Sequence, residues 1–285
     1  MTAIITQRVT TIDIALENRE PLYITPLSDL HIESSAFDLN GFQKMMTARS
    51  KLPNHRVIII GDAMDLVVPR DLKRWSPSAQ DGSLAGEDAW LNRGLDLAVE
   101  RLSESGCRYD LVGPGNHEYE FQKRHGFDVS SVLACDLGCA RGGYSGVIRY
   151  RIFLKDQKRG GQVFTMVYHH GAWGGQSKGI IPARRWFSTW DGFHCALWGH
   201  NHQTLVTPES RFRVALNGQI KEYTVYYINT GSWIKSMSDN ALHTHYAEKS
   251  GYIPTVRMTP LIRVSLVNQG TKAQSGYHLE YGVEV

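Results

Sequence analysis

Cysteine is scarce in this 285-residue sequence, with only Cys107, Cys135, Cys139 and Cys195, all in apolar or glycine-rich surroundings. So few thiols exclude a disulfide-stapled framework and suit a reducing compartment. The Cys135/Cys139 spacing departs from the CxxC pairing of zinc sites, so the four read as buried free thiols rather than a structural zinc. An excess of charge is also lacking: the formal net charge is +3, which gives no support for a dedicated nucleic-acid or membrane surface. No run reaches the roughly 18 uncharged apolar residues a membrane helix needs. Met1 to Pro21 scatters Arg8, Asp13, Glu17, Arg19 and Glu20 among short apolar pieces, which matches neither a leader nor a transit peptide. These absences lead to the expectation of a cytoplasmic protein without a membrane partner. No internal repeat or low-complexity linker is seen either, so a single domain over 1–285 is expected.

What is present is enough apolar content, 42%, to build a large core. Short apolar runs alternate with turn residues. Thr11–Leu16, the turn Glu17–Glu20 and Leu22–Leu27 read as a hairpin feeding a core strand. A helix is expected near Asn40–Ala48. Val57–Ile60 is a β-branched run of the kind found in a strand buried on both faces. A loop-helix insertion at about 67–104 follows: Val68–Gly82 reads as a lid or an exposed insertion, then Leu91, Leu95, Val99 and Leu102 fall at helical spacing. Tyr109–Val112, Val163–Tyr168 and Cys195–Trp198 are further strands. Arg211–Leu216 and Tyr223–Ile228 flank Asn217-Gly218, a tight-hairpin signal, and Leu261–Val267 with Tyr277–Val283 look like another antiparallel pair. The expected fold class is α/β, with two mixed sheets layered between helices in an α-β-β-α sandwich.

Five of the runs are each followed by oxygen or imidazole donors. Leu22–Leu27 leads to Asp29 and His31, Val57–Ile60 to Asp62 and Asp65, and Tyr109–Val112 to Asn116, His117 and Glu118. The fourth run delivers His169 and His170, and the fifth His200 and His202. Sites in open α/β sheets form beyond the carboxyl ends of strands, so these loops are expected to converge. Residues two apart on an extended segment face the same way, which pairs Asp29 with His31 and His200 with His202. His169 and His170 are neighbours pointing oppositely, so one ligand is expected from them. His170 is favoured because it precedes Gly171, with His169 as the alternate. Carboxylate, amide and imidazole together suit two divalent ions, manganese first and iron, zinc or nickel as alternatives, better than calcium or magnesium. Asp62, central in the order, is the natural carboxylate to bridge ions about 3.5–4 Å apart.

In order, Asp29/His31, Asp62/Asp65, Asn116/His117/Glu118, His169 or His170, and His200/His202 resemble the DxH, GDxxD, GNH(D/E), H, GHxH pattern of the calcineurin-like metallophosphoesterases. The resemblance runs from residue 29 to 202, and weakly on to Asn229–Ser232. It implies hydrolysis of phosphate esters by a hydroxide shared between two ions. It also implies a first ion held by Asp29, His31, Asp62 and His202, and a second by Asp62, Asn116, the histidine of the fourth block and His200. His117 would protonate the leaving oxygen or steady the transition state, with Asp65 orienting and charging its imidazole. Leu66 stands where the family's protein Ser/Thr phosphatases carry arginine, which argues against that branch.

The residues after 28 and 61 look as much like the DNA-repair nuclease branch as any other. The expected substrate is therefore a phosphodiester, of nucleotide or nucleic-acid type. The alternatives are a small phosphomonoester, a cyclic nucleotide, or a binding scaffold without turnover. Lys178, Arg184 and Arg185, among Trp186, Phe187 and Trp190, are candidate substrate contacts by charge and stacking; the alternative is that the aromatics simply pack under a loop, the reading favoured for Trp190. Glu118 reads as a helix cap.

Overall fold

The computed structural model describes residues 4–6, 8–67, 80–84, 90–155, 161–173, 179–238, 245–249, 251, 253–268 and 276–285. Two mixed sheets pack face to face. The first has seven strands: β1 (Ile4–Thr6), β2 (Val9–Leu16), β7 (Ser145–Leu154), β8 (Gly161–His169), β9 (Cys195–Trp198), β11 (Ile220–Thr230) and β10 (Thr204–Val214), in that spatial order. The second has six: β13 (Tyr277–Glu284), β12 (Leu261–Asn268), β3 (Pro21–Leu27), β4 (His55–Ile59), β5 (Tyr109–Val112) and β6 (Ala140–Arg141). Parallel and antiparallel pairs occur in both: β3, β4 and β5 run parallel, and β12 is antiparallel to β3. In the seven-stranded sheet β8, β9 and β11 run parallel, while β10 is antiparallel to β11.

The inward faces of both sheets share one core. Ile14, Leu16, Tyr150, Phe164 and Leu197 meet Leu22, Ile24, Ile58, Leu111 and Val264. The outer face of the six-stranded sheet is covered by α1 (Leu39–Ser50), α2 (Trp90–Ser103), α3 (Asn116–His125) and α4 (Val129–Asp136), which bring Phe42, Met46, Leu95, Phe121 and Leu133 to Val57, Ile59 and Val112. On the other side, α5 (Ile180–Phe187) lays Ala183 and Phe187 on Val167, Ala196 and Trp198. The layered α-β-β-α arrangement follows from this distribution of apolar faces. A last short helix, α6, covers Tyr246–Lys249. None of the described helices is long and apolar enough to cross a membrane.

Two expectations need correction. Thr11–Leu16 and Leu22–Leu27 do not form a hairpin. β2 pairs with β1 and β7, while β3 pairs with β4 and β12, so the turn at 17–20 carries the chain from one sheet to the other. The cause is burial: Leu16 and Leu22 both sit in the inter-sheet core, which puts the two strands face to face rather than edge to edge. The four thiols are free, but only Cys195 is buried, and Cys135 is exposed. Residues 68–79 and 85–89, most of the expected lid and the start of its helix, lie outside the described residues.

Candidate metal centre

The loops after β3, β4, β5, β8 and β9 meet at one edge of the sandwich, and backbone bonds fix their register. Asp29 N–H donates to the Gly61 carbonyl (3.1 Å), Leu30 to Asp62 (2.8 Å), Ile32 to Ala63 (3.0 Å), and Gly199 to His170 (2.8 Å). Glu118, in the first turn of α3, accepts from the backbone of Asp62 (3.0 Å), Met64 (3.0 Å) and Gly115 (2.8 Å), so it staples two ligand-bearing loops as well as capping the helix. Burial and the nearby Asp62 charge push its pKa up. Glycine is required where these loops touch: a Cβ on Gly199 would strike the carboxylate of Asp29, and Gly61, at φ 130°, lies against the His170 ring.

Three groups of potential ligands form a chain: Asp29, His31 and His202; His31, Asp62 and His117; and Asp62, His170 and His200. In each, the ligand atoms lie within 4.8 Å of one another. His31 Nε2 faces His202 Nε2 at 3.4 Å, with Asp29 Oδ1 3.5 Å from the latter. Asn116 Oδ1 sits 3.1 Å from His170 Nε2 and 2.7 Å from His200 Nδ1, and His170 Nε2 is 3.0 Å from Asp62 Oδ2. Ligands bound at ~2.1 Å lie ~3.0 Å apart at right angles and ~3.4 Å apart at tetrahedral angles, so these separations fit sets converging on ions. The backbone adds an independent sign. Eight described non-glycine residues have positive φ, and five of them are Asp29, His31, Asp62, His200 and His202. Such conformations cost of order 1–3 kcal/mol each and cluster where function demands them.

Behind the first ring of donors stands Asp65. Its Oδ1 is 3.2 Å from His31 Nδ1 and 3.1 Å from His117 Nδ1, which also contacts the Asp65 carbonyl at 2.6 Å. Burial works against charge on Asp65, but hydrogen bonds from His117 and His31 outweigh it and hold the carboxyl well below its usual range. For His117 burial favours the neutral ring, yet Asp62 and then Asp65 raise its pKa to about 10. The same contest at His170, won by Asp62, gives about 9. The Asp29 carboxylate accepts from the backbone N–H of His200 at 3.0 and 2.9 Å and from Ser28 Oγ, while Ser232 Oγ donates to its carbonyl at 2.6 Å.

The fold therefore gathers Asp29, His31, Asp62, Asp65, Asn116, His117, His170, His200 and His202 in one place. His169 is turned the other way: its Nδ1 accepts from Gly171 N–H (2.9 Å), and burial lowers its pKa to about 4. Of the candidate substrate contacts, Arg184 is bonded to Glu209 and lies over the Tyr227 ring at 5.4 Å, so its charge is engaged. Arg185 is exposed on α5, and Lys178 lies outside the described residues. Residue-by-residue reading missed the supporting roles of Ser28 and Ser232. It also missed Tyr144, whose hydroxyl donates to the Gly171 carbonyl at 2.6 Å while its ring packs edge-on to His170 at 5.4 Å. Ser28 and Ser232 adjoin the ends of β3 and β11, a positional signal; Tyr144 carries none.

Fold and site together define a two-sheet α/β protein with a histidine–carboxylate centre at the carboxyl ends of its strands. A scan against protein families finds no match, and neither does a search of the curated proteins. Among solved structures, Vps29 from Chaetomium thermophilum is similar at 9% identity and a TM-score of 0.35, over 92% of this chain and 97% of that one.

Proposed function

We propose that this protein is a binuclear metal-dependent phosphoesterase acting on phosphodiesters of nucleotide or nucleic-acid type. The observation that supports it most is the chain of three ligand groups linked through His31 and Asp62, with left-handed backbone at five of the ligands. Asp29, His31, Asp62 and His202 would hold one ion, and Asp62, Asn116, His170 and His200 the other. Manganese suits this donor set first, then iron, zinc or nickel. Two bound ions would neutralise phosphoryl oxygens and bring the pKa of water toward ~7.

The protein's own groups supply the rest. His117 stands at the edge of the ligand chain with its Nε2 4.0 Å from Asp62 Oδ2, where it can deliver a proton to the departing alkoxide. Asp65 fixes the His117 ring from behind, through Nδ1 at 3.1 Å. The same carboxylate orients His31, so one residue aligns a ligand and the acid. Ser28 and Ser232 hold Asp29 in its strained backbone conformation.

The test combines manganese stoichiometry by equilibrium dialysis with hydrolysis of bis(4-nitrophenyl) phosphate. Two ions per chain and metal-dependent turnover are expected. Asp62→Asn should lose ion binding and at least ~10³-fold in rate, since several kcal/mol of transition-state charge stabilisation goes with the ions. Full activity in Asp62→Asn or in chelator-stripped protein would overturn the proposal. Preference for 4-nitrophenyl phosphate would replace the diester by a monoester.

A further inference from the structure

One feature beside the candidate centre has no part in holding ions. His169, turned away from the ligands, lies within a continuous strip of rings. Tyr144 packs edge-on against both His169 (5.3 Å) and His170 (5.4 Å), so the strip begins at the second ion's ligand set. On one side Tyr119, 51% exposed, meets Tyr144 at 6.0 Å. On the other, His169 is flanked by Trp173 at 5.1 Å and Trp186 at 4.8 Å, and Trp186 continues to Trp190, three residues past the end of α5, at 5.5 Å. The three tryptophans are only partly buried, unlike Phe187 beneath them, which is fully buried in the core.

Rings left at a surface beside a phosphate-binding centre have a specific use. Aromatic faces bind flat, uncharged groups by stacking, and every nucleobase has such a face. Arg184 on α5 is already committed to Glu209, so it is not held ready for a further phosphate. A phosphodiester held by the ligand set that includes His170 would lie beside the strip, because Tyr144 packs on that histidine at 5.4 Å. We propose that Tyr144, His169, Trp173 and Trp186 form a base-stacking subsite, and that the substrate is a phosphodiester carrying a nucleoside on the side of the strip. This rests on the phosphoesterase reading above and narrows its substrate class.

Two diesters with the same leaving group separate the subsite from the chemistry: thymidine 5′-(4-nitrophenyl phosphate) and methyl 4-nitrophenyl phosphate, each with manganese. The nucleoside diester should be preferred at least about tenfold in kcat/KM, mostly through KM, as expected for one stacked base. Trp173→Ala and Trp186→Ala should each reduce that ratio several-fold, and Trp186→Phe should restore most of it. A ratio near one in the unaltered protein, or one unchanged in both alanine variants, overturns the subsite. If neither diester is cleaved, the phosphoesterase reading fails instead, and binding then decides the subsite. Thymidine 5′-monophosphate should quench tryptophan fluorescence saturably in the unaltered protein and far less in Trp186→Ala of unchanged circular dichroism. Absence of saturable quenching would overturn the subsite on its own.

Discussion

The two ends of β4 and β5 handle buried charge in opposite ways. At the amino ends, Arg56 and Asp110 are buried together, 3.0 Å apart, and Tyr150 reaches across from β7 of the facing sheet to donate to the second Asp110 oxygen at 2.9 Å. Cation, anion and hydroxyl satisfy one another, and the cluster ties the sheets together. At the carboxyl ends, Asp62 is buried with Asp29 and Glu118 nearby and Asp65 partly exposed, and among the described residues the nitrogen side chains paired with the aspartates are all histidines. Buried carboxylates are costly unless paired or metal-bound. The self-satisfied end is scaffold. The carboxyl end, where imidazoles and left-handed backbone surround the carboxylates, gathers groups that could hold a metal ion, as proposed above.

The sharpest way to break this contrast is at the amino end. Asp110→Asn leaves the Arg56 charge buried without its counterion, so stability should fall by about 3–5 kcal/mol in urea unfolding. Manganese stoichiometry of the folded fraction should not change; a loss of ions would mean the two ends are not independent. A smaller effect is expected from Asp65→Asn at the other end, where the carboxylate touches His31 and His117 from behind. Turnover should drop about 10–100-fold with both ions retained, as for other groups that orient ligands. Unaltered turnover would remove Asp65 from the account.

The smallest effect concerns pH. His55, the first residue of β4, bonds Thr25 Oγ1 at 2.8 Å, and burial, helped by Arg49 and Arg56, lowers its pKa to about 4. The unfolded ring takes up a proton near pH 6.5 and the folded ring resists it, so this contribution is whole above about 6.5 and is lost as pH falls toward 4. His55→Gln should flatten the urea midpoint over that window; an unchanged slope would show that His55 does not titrate as described.

Much of this was legible in the sequence because it depended on local patterns. The runs at 57–60, 109–112 and 195–198 are continuous and buried on both faces, so they stand out as strands, and each is followed by its donors. The Asn217-Gly218 turn fixes β10 to β11 across eleven cross-strand pairs. β7 is hidden from a search for apolar runs because Arg149 and Arg151 alternate with Ile148, Tyr150 and Ile152, the pattern of a strand with one solvent face. The path from β2 to β3 was misread because a four-residue turn looks the same whether the next strand pairs alongside or crosses to a facing sheet. Only the shared core of Leu16 and Leu22 decides between them. In the centre, pattern pointed to the donors on loops, whereas Tyr144 and the outward turn of His169 depend on contacts between distant segments that no local motif encodes.

Anomalous diffraction from crystals soaked in manganese tests the central claim most directly. Two peaks about 3.5–4 Å apart, on either side of the Asp62 carboxylate, are the expected result. No peak in that cluster, or a lone ion touching neither Asp62 nor His200, would contradict it.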